Sequence, residues 1–215
     1  MKNIFFSLLI MMTALSVNAQ EQFRTQTIGG WGSNPSGANP GSYLAANFDA
    51  VFGAEGVTIG MDANTITFTS AEAIQKFLPS SGKSEALAMS YLDPAKQEVR
   101  NTFASQTLAL SISLAMDKSI ESYSVSTKYL GNMVVAEGEM EGVAITRVLQ
   151  EANKALAGVE SAYSIATLNE TVSKINENYV DGEITGNYVK ASTSTTTTTT
   201  EAGTSTGLEI NAIKF

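Results

Sequence analysis

Apolar positions along this chain fall into short periodic blocks separated by glycine, proline and small polar residues. The longest block runs from Val99 to Met116 and carries no charge after Arg100. As a helix it places Val99, Phe103, Leu110 and Leu114 on one side, and Leu108 and Ile112 widen that surface. Ala104, Ser105, Ala109, Ser111 and Ala115 fill the gaps with small side chains, so neighbours can approach closely. A helix apolar on nearly every side belongs at the centre of a domain. The rival is a strand, because Leu108, Leu110, Ile112, Leu114 and Met116 also alternate. Only one of the residues from Leu108 to Met116 is β-branched, and Ala and Leu favour the helix.

The remaining blocks are shorter. Ser42 would cap a helix over Tyr43 to Phe52, with Leu44, Phe48, Val51 and Phe52 inward and Gly53 as its stop. Val57 to Ile59 and Thr65 to Phe68 suit a hairpin, with Gly60 to Asn64 as its turn. Ser70 would cap a helix over Ala71 to Leu78, and Pro94 suits the first turn of the central helix. Lys128 to Ala136 reads as a strand or a loop ending in one. Val143 to Ala157 and Ile165 to Val180, the latter capped by Ser164, are amphipathic helices. The expected fold class is α+β, mainly α: a helical bundle around a buried central helix, with a small β-hairpin or sheet.

Both ends differ from this interior. Lys2, the apolar run Ile4 to Leu15 and Val17-Asn18-Ala19 form the three-part pattern of a secretory signal, too short to span a bilayer as an anchor. The expected layout is a signal peptide over 1–19, one globular exported domain over 20–182, a Thr/Ser-rich linker over 183–207, and a strand-like tail over 208–215. Six consecutive threonines, Thr195 to Thr200, lie in that linker. Leu208, Ile210 and Phe215 punctuate the tail, which would add to this chain's sheet or to a partner's edge.

Composition then removes chemistry. The 215 residues include neither histidine nor cysteine, and cleavage after Ala19 leaves 12 basic against 21 acidic side chains, a net charge of −9. Ser-His-Asp and Cys-His catalysis, cysteine or histidine zinc sites and thiolate iron–sulfur clusters are excluded. The acidic balance argues against nucleic acid, and no cofactor is implied. Asp62 and Asn64 lack the spaced acids of a calcium loop. Glu137, Glu139 and Glu141 offer three carboxylates for a cation or for glycosidase-type chemistry, or simply a solvated turn. Trp31, the only tryptophan, lies in a Gly/Pro-rich series of turns. It is either a surface aromatic for a sugar or protein partner or a plug on the core.

Several of these stretches together resemble a known pattern. They are Thr25, Gln26, Trp31 and Pro35, the run Val57 to Gly60, the helix end Phe77-Leu78-Pro79, and Phe103 to Ile112. In this order they resemble an exported domain of bacterial, notably Bacteroidota, secreted and surface proteins, over most of residues 23–182. The central segment of such domains reads like Leu-Ala-x-Gln-Leu-x-Ala-Leu-x-Leu-Asn. Ala104, Gln106, Ala109 and Leu110 match it, and a Ser at or near Ser113 replaces the Asn. The resemblance implies a helical centre and no particular activity. The expectation is a non-enzymatic secreted, surface or periplasmic module binding an envelope protein or glycan. Trp31, Leu208, Ile210 and Phe215 are its candidate contacts, and no transmembrane segment remains after signal cleavage. The alternative is a carboxylate-based polysaccharide hydrolase or lyase.

Overall fold

In the computed structural model, residues 22–192 are described, so the signal segment and the tail residues Leu208, Ile210 and Phe215 lie outside them. The elements are α1 (Ile28–Trp31, a single turn), α2 (Pro40–Phe52), β1 (Val57–Met61), β2 (Asn64–Phe68), α3 (Ala71–Phe77), β3 (Tyr91–Leu92), α4 (Thr102–Ser119), β4 (Val134–Val135), α5 (Ile145–Leu156), α6 (Ile165–Asn178) and β5 (Val189–Lys190). The class is α+β and mainly α.

The central stretch is helical, and α4 packs against α6, α5, α1, α2 and β1. Phe103, Leu108, Leu110, Ile112 and Met116 are fully buried, as are the small residues Ala104 and Ala109. Two buried serines on this helix spend their hydroxyls on backbone carbonyls. Ser105 Oγ donates to the Ser80 carbonyl at 2.7 Å, and Ser113 Oγ donates to the Ala109 carbonyl at 3.0 Å.

The start of α4 differs from expectation. Pro94 is not in its first turn, because the Asn101 side chain caps the helix by accepting from the Ala104 N–H at 3.2 Å. The preceding turn is fixed instead by Asp93 in the left-handed region and by Glu98, which accepts from the Ala95 N–H at 2.7 Å. Similarly α2 begins at Pro40 rather than Tyr43. Asn39 Oδ1, not Ser42, is the cap, accepting from the Ser42 N–H at 2.9 Å, and proline takes the first position.

β1 and β2 form the expected antiparallel hairpin, with Ile59 opposite Ile66, and β3 adds in parallel to β2. The hairpin is pinned to α5 by Asn153, whose Oδ1 accepts from the Gly60 N–H at 2.8 Å. β4 and β5 make a second, antiparallel pair, which moves the expected domain boundary. Residues 183–190 belong to the fold, not to a linker. Tyr188 and Val189 are buried, and the Asn178 side chain accepts from both of their backbone N–H groups, at 2.7 and 3.2 Å. α6 ends at Asn178 because the Tyr179 N–H turns to Thr25 Oγ1 at 3.1 Å while the Thr25 N–H donates to the Tyr179 carbonyl at 2.9 Å. The first and last described segments of the domain therefore close on one another.

Candidate functional site

That closure builds a pocket. In the stretch Phe23 to Gln26, Phe23 is fully buried against Tyr179, ring centroids 5.5 Å apart and edge-on. Between Phe23 and Thr25, both buried, Arg24 turns its side chain toward two aromatic rings. Its guanidinium carbon lies 6.0 Å from the Tyr43 ring centre and 5.8 Å from that of Tyr123, within cation–π range. Nη2 of Arg24 donates to the Asp181 carbonyl at 3.3 Å, and Gln26 Nε2 donates to Asp181 Oδ1 at 2.8 Å. Asp181 adopts the left-handed backbone region at the turn after α6, a conformation that suits Asp and Asn better than most residues. The resulting hollow of about 40 Å³ is lined by Arg24, Gln26, Tyr43, Tyr123 and Asp181, with Trp31, Ala38 and Pro40 completing its wall.

Its aromatic walls are neutral over the ordinary pH range. Burial raises the Tyr43 phenol, against the opposing pull of the Arg24 charge. Burial raises Tyr123 further, against Ser113 and Arg24.

A second, more open hollow lies beyond the C-terminal end of α4, lined by Asp117, Lys118, Glu121 and residues 124–129. Burial pushes the Asp117 carboxyl above its usual range, although Ser124 and Leu130 both donate to it and lower it in part. Both carboxyl oxygens are engaged: Oδ1 accepts from the Ser124 hydroxyl, and Oδ2 accepts from the Leu130 N–H at 2.7 Å. Ser124 Oγ in turn accepts from the Arg24 N–H at 3.1 Å, so the two hollows share a wall.

Trp31 is not a surface contact. Its ring is fully buried, its Nε1–H donates to Ser113 Oγ at 3.2 Å, and it lies nearly parallel to Tyr123 at 6.4 Å. This corrects its assignment as an exposed contact and matches the plug reading. α1 is pressed so closely on the end of α3 that a Cβ at Gly32 would collide with the Leu78 carbonyl. The three glutamates do not act as a cluster. Glu139 Oε2 accepts from the Thr167 hydroxyl at 2.9 Å, and Glu141 pairs with Lys190 at 2.8 Å. Glu137 adds to the negative field felt by Lys174. Asp62 lies in the hairpin turn, and Asn64 Nδ2 donates to the Ala157 carbonyl at 2.9 Å. Among the described residues no group of three or more Asp or Glu side chains is arranged to hold a metal ion. Leu208, Ile210 and Phe215 fall outside the described residues.

The stretches that carry the resemblance are largely core, with Trp31, Ile59, Phe77, Phe103, Leu108, Leu110 and Ile112 fully buried, and Gln106 is their polar link to α6. Gln106 and Asn176 join α4 to α6, Asn176 Nδ2 donating to the Gln106 carbonyl at 3.0 Å and to its Oε1 at 2.9 Å. Arg24, Tyr43, Tyr123 and Asp181 were not singled out by sequence reasoning. Tyr43 sits beside the inward-facing stripe of α2, and Asp181 lies in the turn after α6, so neither carries a local signal of binding. No family model, curated protein or solved structure matches the chain.

Proposed function

We propose that this chain is a non-enzymatic exported module, secreted or associated with the cell envelope, that binds a protein or glycan partner through the Arg24–Tyr43–Asp181 pocket. The observation carrying this reading is the convergence, at one surface hollow, of a cation, two tyrosines and a carboxylate from four separate chain segments. Aromatic walls with a few placed polar groups are the usual make-up of a recognition site. The N-terminal signal pattern supports export, as does the resemblance to exported bacterial domains. No helix among the described residues is long and apolar enough to cross a membrane.

A carboxylate enzyme is the second reading, favoured by one observation: Asp117, with its raised pKa, shares a hollow with Glu121. Against it, both Asp117 oxygens already hold the loop Ser124–Leu130 in place, which is the geometry of a clamp. A cross-linked pull-down of the tagged mature chain from envelope and medium fractions tests the first reading. It predicts enrichment of one dominant protein or glycan, reduced by Tyr43→Ala. Polysaccharide cleavage abolished by Asp117→Asn, in a variant that stays folded, would overturn it.

A further inference from the structure

Unused hydrogen-bonding capacity in the pocket identifies a chemical class of ligand; this step rests on the binding-module reading above. Arg24 carries five N–H donors, and its side chain makes one hydrogen bond to the protein, from Nη2. Its Nε is shielded and out of a ligand's reach, so the donors open to one are those of the terminal nitrogens of this half-buried side chain. Asp181 is exposed at the rim and its Oδ1 accepts from Gln26, which leaves Oδ2 open. The pocket thus presents donor capacity and acceptor capacity side by side, beside the partly exposed Tyr43 ring.

Charge narrows the choice. A carboxylate or phosphate entering toward Arg24 would face the Asp181 carboxylate, and an ammonium entering toward Asp181 would face the guanidinium. A hydroxyl meets neither objection, since it accepts and donates at once. Size narrows it again. The hollow of about 40 Å³ compares with the roughly 10–15 Å³ that one water-sized group requires, so it admits two or three oxygens and not a whole ring.

We propose that this pocket recognises a vicinal diol of a neutral sugar, the diol edge entering between Arg24 and Asp181 while the ring lies against Tyr43 and Pro40. Arg24 donates to one hydroxyl oxygen, the other hydroxyl donates to Asp181 Oδ2, and the apolar ring face covers the tyrosine. The walls are set before a ligand arrives. Gln26 fixes the Asp181 carboxylate, Ser124 holds the Arg24 backbone, and Tyr123 supports the guanidinium from within.

Native gel electrophoresis of the mature chain, with soluble neutral polymers (glucan, mannan, xylan and galactan) cast in the gel and alginate as an acidic control, tests the proposal. The expected result is retardation by at least one neutral polymer and weaker retardation by alginate, whose vicinal diols sit beside carboxylates that Asp181 repels. Tyr43→Ala and Asp181→Asn should each weaken binding by about tenfold while leaving the thermal midpoint of Asp181→Asn unchanged. Retardation by alginate alone, retardation that both variants retain, or none by any neutral polymer would overturn it. If a protein partner is captured from the envelope while no glycan binds, the diol inference fails and the binding-module reading stands. If neither is found, both fail.

Discussion

Glu151 is a carboxylate with no exposed surface, and it is tolerated because four groups converge on it. Ser161 and the Ala162 N–H donate to Oε2 at 2.8 and 3.0 Å, while Lys154 and Arg147 meet Oε1 at 3.1 and 2.6 Å. Burial pushes this carboxyl up, but the Ala162 N–H, Ser161, Lys154 and Arg147 outweigh it and lower the pKa to about 2. A depressed folded-state pKa contributes stability above the ordinary carboxylate value of 4.5, lost as the pH falls toward 2. Glu151→Gln should therefore cost about 2 kcal/mol near neutrality and remove part of the acid sensitivity between those values. Urea unfolding at pH 7 and at pH 3 measures both effects, and equal losses at the two pH values would contradict the assignment. Trp31 makes its contribution through apolar burial, with one hydrogen bond. Trp31→Phe should cost about 1 kcal/mol and Trp31→Ala about 3–5 kcal/mol in the same unfolding experiment. A Trp31→Ala variant as stable as the parent would show that the ring does not plug the core.

At the scale of elements, periodic hydrophobicity and caps carried most of the information. α3 and α6 begin where Ser70 and Ser164 predict, since each side chain accepts from the N–H three residues on. The hairpin was legible because two β-type runs flank a polar turn. α4 was legible as a centre but not at its start. A proline suits a first turn in general, whereas the decisive feature is Asn101, which accepts locally from the Ala104 N–H and is oriented by donating to the Glu85 carbonyl, a contact the local pattern does not show. Asn101→Ala should cost about 1–2 kcal/mol, measured by thermal or urea unfolding. Substitution without effect would mean that the helix is set by packing alone. β3, β4 and β5 have two residues each, too few for an alternating pattern to register.

Across the whole molecule, the organising feature is closure of one end of the domain upon the other. Thr25 bridges to the residues after α6, and Asn178 secures the strand beyond. A chain ending at Gly182 would lose the buried Tyr188 and Val189 and leave Asn178 without its acceptor role. It should melt several degrees lower than one ending at Ser192, and equal melting temperatures would return residues 183–190 to a linker. The pocket follows from this closure and was illegible for the same reason. Arg24 and Asp181 are joined by a bond spanning 157 positions, and nothing local in either stretch announces the other. The most direct test of the pocket as a binding site places a photo-reactive phenylalanine analogue at Tyr43, with the exposed Glu72 of α3 as the reference position. After irradiation with envelope extract, one discrete protein or glycan adduct is expected at Tyr43 and none at Glu72. No adduct at Tyr43, or the same adduct from both positions, would contradict the pocket's binding role.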